Sequence, residues 1–183
     1  MNKYIFESER LGFRTWLPSD LVPMAALNAD AEVMRHFPGT QSIEQTKAFL
    51  SRMNEQFDQR GYCYFAVDLL EQESFIGFIG LSYQSFDIEQ TPFVDIGWRL
   101  ARMHWGNGYA TEGARKCLRF GFEQLRQEKI YAVATSQNKA SINVMEKVGM
   151  TYVADFEHPT LRDYPQLRSC VLYKSQRPSG IMC

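Results

Sequence analysis

The feature that most constrains this chain is a strand-like run that ends in a glycine-rich bend and passes at once into a helical pattern. It reads FVDIGWRLARMHWGNGYATEG, from Phe93 to Gly113. Beyond it, Lys129 to Thr135 is another strand, apolar on both alternations and therefore interior to a sheet. Strand, helix and strand in that order make a crossover unit, which brings a parallel pair into whatever sheet contains it. Gly106 and Gly108 allow positive φ and bring backbone N–H groups close to a bound group. The helix start that follows adds unpaired donors and the positive end of a dipole. Together these suit an anion, most often a phosphate or pyrophosphate.

The remaining segments supply what surrounds this unit. Met1 to Glu9 reads as a loose lead-in, and Arg10 to Trp16 alternates as a first strand. Pro18-Ser19-Asp20 is a helix entry, with Ser19 or Asp20 as the cap and Pro23 tolerated in the first turn. Asp30 caps a second short helical turn through Met34. Ser42 and Gln45 form a capping box for a helix that buries Ile43, Phe49, Leu50, Met53 and Phe57 on one side and stops at Gly61. Tyr62–Leu69 and Phe75–Tyr83 make a hairpin, and Phe93–Leu100 is the third strand of a meander. After the crossover, a helix capped within Ser136–Ser141 ends with Gly149 at its C′ position. Thr151–Phe156 and Cys170–Lys174 are the last two strands. The expectation is a single mixed domain over 1–175, followed by a disordered tail over 176–183.

Composition narrows the function. With 183 residues and 45% hydrophobic content, one core fills the chain. Lysine plus arginine (20) nearly balance aspartate plus glutamate (21), so no global basic field exists for nucleic acid, and an anion site must be local. The four cysteines show no C-x-x-C spacing and only three histidines are available, which argues against a metal site; Cys63 and Cys117 read as buried thiols. No apolar run approaches the roughly 20 residues needed to span a bilayer. A reduced cytoplasmic protein without membrane partners is expected.

Three groups of residues can carry chemistry. The glycine turn alone is a modest signal. A dinucleotide fold would place it after the first strand, and a P-loop would follow it with Lys-Ser or Lys-Thr. Asn138 and Ser141, at i and i+3, face one side of a helix's first turn, where they serve as caps or as ligand contacts. Asp95 shares a strand face with Gly97 and Arg99, either paired with Arg99 or functional.

In series, Asp95 to Leu100, Trp105 to Glu112, Asn138 to Ser141 and Glu146 to Met150 resemble the GNAT superfamily of N-acetyltransferases. The likeness runs from Arg10 through Tyr173 and is similar to the branch of ribosomal-protein N-terminal acetyltransferases. It implies an α+β fold, a mixed seven-strand sheet flanked by helices, mostly antiparallel with a parallel pair splayed at strands four and five. Acetyl-CoA would be the cosubstrate, with no metal, and an amine, either small or a protein N-terminus, the acceptor in a ternary complex; a homodimer is compatible. On the resemblance, Trp98, Arg99 and Leu100 offer backbone hydrogen bonds to pantetheine. Trp105 opens the turn, Gly106, Asn107, Gly108, Tyr109 and Ala110 cradle the pyrophosphate, and Thr111 sits at the helix start. Asn138 contacts the pantetheine arm and Lys147 the phosphate end. Asp95 matches the acidic position that relatives use as base. Met145 stands where many relatives carry a tyrosine acid, which leaves Ser141 as the substitute. Cys170 replaces a histidine. His36-Phe37, the Gln84 to Pro92 loop and the His158 loop would surround the acceptor. A CoA-binding module without transfer is the alternative.

Overall fold

The computed structural model describes residues 3–177. Its strands form one eight-stranded sheet in the order β1-β2-β3-β4-β5-β6-β8-β7. They are β1 (Phe6–Glu7), β2 (Leu11–Arg14), β3 (Tyr64–Leu69), β4 (Ser74–Gln84), β5 (Phe93–Leu100), β6 (Lys129–Thr135), β7 (Thr151–Glu157) and β8 (Ser169–Gln176). The helices are α1 (Leu21–Ala29), α2 (Ile43–Arg60), α3 (Tyr109–Glu123) and α4 (Lys139–Lys147). The expected seven strands become eight because Phe6–Glu7, read as lead-in, pairs antiparallel with Gly12–Phe13. The Phe6 ring stacks on Phe13 and Phe120 with centroids 4.6 and 4.5 Å away, so burial rather than periodicity holds it there. At the other end Gln176 closes β8 instead of starting a tail; the rest of that expectation, from residue 178 on, lies outside the described residues.

β2 through β5 form the antiparallel meander, and the crossover through α3 makes β6 parallel to β5. Only one pair is in register there, Asp95 with Tyr131. Beyond it β5 keeps β4 as its neighbour, β6 keeps β8, and the sheet opens into a wedge.

The two faces of the sheet are covered differently. α3 lies close, because a Cβ on Gly113 would meet the Ile79, Leu11 and Phe13 side chains. α1 and α2 cover the opposite face, where Phe49 packs on Phe78 and Arg99 reaches Asn28 of α1. The capping box at Ser42 forms as expected, and Gly61 ends α2 in the left-handed region. Asp20 stands at the cap position of α1 but makes no side-chain cap. Its carboxylate accepts the Leu17 N–H at 2.8 Å, one turn earlier, and accepts from Arg14 at 2.6 and 2.9 Å; Arg14 also grips Asp68 at 2.7 and 2.9 Å. Two buried acids around one buried arginine satisfy a charge that neither the sheet nor the helices could.

Candidate active site

The wedge opens into a cavity of about 970 Å³ that runs from the start of α3 to the α1–α2 face. Its first wall is β5. Ala101 N–H donates to Ile76 O at 2.9 Å, and the β4–β5 register is unbroken from Gly77 to Gln84. Counting back by twos, Arg99, Gly97 and Asp95 direct their amides at β4, whereas Leu100, Trp98 and Ile96 direct theirs at the opening. The Leu100 carbonyl is taken by the Trp105 indole N–H at 2.8 Å, which folds the bend back against the strand. The Leu100 N–H and both backbone groups of Trp98 remain on the side of the gap.

The glycine turn forms the second wall. Gly106 and Gly108 have φ of +78° and +80°, values at which a side chain would be strained, and Gly108 leads into α3. Tyr109, Ala110 and Thr111 open that helix and line the cavity, as Trp105, Gly106 and Gly108 do. Asn107 does not. Its side-chain amide donates to the carbonyls of His104 and Trp105 at 3.2 and 3.1 Å, and its own carbonyl accepts from Arg10 at 3.1 Å. It shapes the turn from behind. Arg10 is held by Glu112, with Nε and Nη2 at 2.7 and 2.6 Å from Oε2. A shallower hollow of about 650 Å³ adjoins Gly108 and Thr111, and its rim carries Arg115, Lys116, Arg119 and Lys147.

α4 provides the third wall. Asn138 caps it, its Oδ1 accepting from the Ser141 N–H at 3.1 Å, so the capping role is real. Both residues also line the cavity, and the cap uses only the oxygen of the Asn138 amide. Met145, 1% exposed, belongs to the core and brings no proton donor.

The floor toward α1 and α2 holds Asp95. It is 8% exposed, Tyr64 O–H donates to its Oδ2, and Gln84 Nε2 lies 3.5 Å from the same oxygen. Oδ1 is buried without a partner. Burial pushes the carboxyl up to about 7, outweighing the hydrogen bonds from Tyr64 and Gln84. The backbone N–H of Val133 also favours the anion. Burial and the neighbouring carboxylate also keep the Tyr64 phenol protonated well beyond its ordinary range. Arg99 is not the partner that the shared strand face suggested: its Nη1 donates to Asn28 Oδ1 at 2.7 Å and its guanidinium lies 4.1 Å from the Phe37 ring centroid. Tyr64 was missed by the sequence reading. A Cβ on Gly97 would lie 3.0 Å from the Tyr64 ring, so the glycine between Asp95 and Arg99 is what lets the phenol reach the carboxylate.

Residues of the three segments expected around an acceptor all line this cavity: His36 and Phe37, Gln84 to Phe86, and His158. His36 Nδ1 is 3.4 Å from Thr135 Oγ1 at the end of β6, and Phe86 stands 4.4 Å from His158, centroid to centroid. Cys170 also lines the cavity, but it is buried, and its thiol points to the Leu167 carbonyl at 3.6 Å.

Comparison with known proteins agrees with this geometry. The family described as acetyltransferase (GNAT) domain matches residues 10–151. The chain is similar to YkkB of Bacillus subtilis (strain 168), 39% identical over 126 residues, covering 67% of this chain and 70% of that one. It is also similar to the N-acetyltransferase YnaD of the same strain, 30% identical over 144 residues, covering 78% and 80%. A crystal structure of a GNAT-family acetyltransferase from Bacillus anthracis superimposes with a TM-score of 0.77 at 24% identity, covering 93% of this chain and 97% of that one.

Proposed function

The chain belongs to the GNAT acetyltransferase family, and from that premise we propose that its acetyl acceptor is a primary amine, held over Asp95, that attacks the thioester directly in a ternary complex. The protein is an acyltransferase whose cosubstrate is acetyl-CoA. The cavity fits that cosubstrate on features of its own. The amides of Trp98 and Leu100 face a gap that β6 leaves open, suited to an amide-bearing arm. The positive-φ glycines and the start of α3 suit a pyrophosphate, and the basic rim beside them, Lys116 and Lys147 included, suits a further phosphate. Asn138 would hold the arm from α4, and Thr111 would stand beside the phosphates.

Bound acetyl-CoA supplies an activated acetyl thioester; the chain's part is to position, to move protons and to exclude water. An amine must be neutral to attack, so a group has to take its proton. Asp95, with a pKa of about 7, is partly ionised at neutral pH and basic enough to serve. Tyr64 and Gln84 hold the carboxylate through Oδ2, which leaves Oδ1 to accept the proton. The Leu100 N–H is the donor best directed at an oxyanion developing in the wedge. Ser141, at the first turn of α4, would relay a proton from solvent water to the leaving thiolate, taking one as it gives one.

The observation that carries the reading is the wedge itself: β5 and β6 part immediately after Asp95, with the buried carboxylate at the apex and the glycine turn at the mouth. Thiol release from acetyl-CoA over a panel of N-terminal peptides, polyamines, amino sugars and amino acids tests it. Amine-dependent release is expected. Tight acetyl-CoA binding with no release from any amine would favour the binding-module alternative.

A further inference from the structure

Arg99 carries a charge that no carboxylate among the described residues pairs with. No salt bridge among the described residues includes it. Its Nε is buried without a hydrogen-bond partner. Burial lowers its pKa to about 10, so it stays charged at neutral pH while desolvated. Arg99 is half-buried rather than fully enclosed, but a cation that loses much of its water without gaining a counter-ion is still costly, and a chain that keeps one leaves something to complete it.

The guanidinium is also aimed. Asn28, fully buried, donates from Nδ2 to Thr46 Oγ1 at 2.9 Å, which turns its oxygen to Arg99 Nη1. The Phe37 and Phe78 rings stand 4.1 and 5.4 Å from the guanidinium carbon. One edge of the fork is therefore pinned and its faces are packed, while the side chain lines the acceptor end of the cavity. The carboxylates among the described lining residues are Glu32, which pairs with Arg35 at 3.4 Å, and Asp95, which is held by Tyr64. Such a chamber is poorly suited to a polycation and well suited to an anion.

We propose that Arg99 binds a carboxylate of the acceptor, which is thus an amine that is also a carboxylic acid. This rests on the transferase reading above. Asp95 and Arg99 face the same side of β5 four residues apart, which separates their Cα atoms by roughly 13 Å. An acceptor that reaches both has several bonds between amine and carboxylate, as in an ω-amino acid or in a peptide with an acid soon after its N-terminus. A charge-assisted, largely desolvated contact of this kind is worth roughly 10- to 100-fold in affinity.

The test is calorimetric titration of the acetyl-CoA-loaded or CoA-loaded protein with two matched pairs: 4-(aminomethyl)benzoate against 4-methylbenzylamine, and the tripeptide amide Ser-Glu-Ala against Ser-Gln-Ala. At least one carboxylate is expected to bind roughly tenfold or more tightly than its neutral match, and the pair that shows it identifies a small-molecule or a peptide source. Arg99→Gln is expected to abolish the preference and Arg99→Lys to retain part of it, with acetyl-CoA affinity measured on each variant to show that the cleft is intact. Equal binding within both pairs by the wild-type protein overturns the proposal, and so does a preference that survives Arg99→Gln. Thiol release from the same amines separates the two readings. Release without any carboxylate preference removes only the role of Arg99; a preference without release removes only the transfer.

Discussion

Replacing Asp95 by asparagine should make the protein more stable at neutral pH while removing its activity. The folded-state pKa of Asp95 is about 7 against an ordinary 3.8. Because the folded value lies above the unfolded one, the stability associated with the protonated carboxyl is fully present below pH 3.8 and lost as pH rises through about 7. A gap of about 3 units at ~1.4 kcal/mol each sets an upper figure of ~4 kcal/mol for the cost of ionising this buried group. Asparagine has the same shape, carries no charge at any pH, and can still accept from the Tyr64 hydroxyl. Urea unfolding of both proteins at pH 4, 6 and 8 reads the difference, and ionisations elsewhere cancel in the comparison. The Asp95→Asn advantage should be near zero at pH 4, grow through pH 6 and level off above pH 7. A difference that is flat with pH, or an Asp95→Asn variant that is less stable at pH 8, would refute the reasoning and mean that Asp95 ionises freely.

Other outcomes follow from named contacts. Tyr64→Phe removes a hydrogen bond that favours the Asp95 anion, worth about 1.5–3 kcal/mol; the rising limb of the kcat/KM pH profile should move from about 7 to about 8 or 9. A limb that stays in place would take Tyr64 out of the proton path. Gly108→Ala, at φ +80°, should cost about 1 kcal/mol or more of stability and weaken acetyl-CoA binding several-fold, both measurable by thermal shift with and without ligand. Asp68→Asn leaves Arg14 buried with half of its partners and should cost about 3–5 kcal/mol in chemical unfolding. Burial raises the Asp68 pKa, but Arg14 and then Lys3 outweigh this and hold it below 3.8, so its contribution is present at neutral pH and fades as pH falls below that value.

The crossover and the order of its motifs were legible because they are local: a strand, two glycines, a helix start and a second strand each leave their own pattern. What was lost depends on register or on partners distant in sequence. Tyr64 reads as one more aromatic in a strand. Only the alignment of Tyr64 with Gly80 and its packing over Gly97 turns it toward Asp95, and the available signal was a pair of glycines on neighbouring strands that would leave a notch for a ring. Asp20 is legible only in part for the same reason. It stands at the cap position of α1 and accepts the Leu17 N–H at the entry turn, but nothing nearby reveals that Arg14 will also claim it. Phe6–Glu7 is too short to show a period. Alternation placed Asp95 and Arg99 on one face but could not say whether their side chains meet, and they do not.

The central claim is that the buried carboxylate at the apex of the wedge takes the amine's proton during acetyl transfer. Its most direct test is kcat/KM for amine acetylation as a function of pH, measured by thiol release in the wild-type protein and in Asp95→Asn. The account predicts a wild-type profile that rises through about 7 and a variant that loses roughly 100-fold or more together with that inflection. An Asp95→Asn enzyme that keeps the wild-type rate and the wild-type pH profile would contradict it.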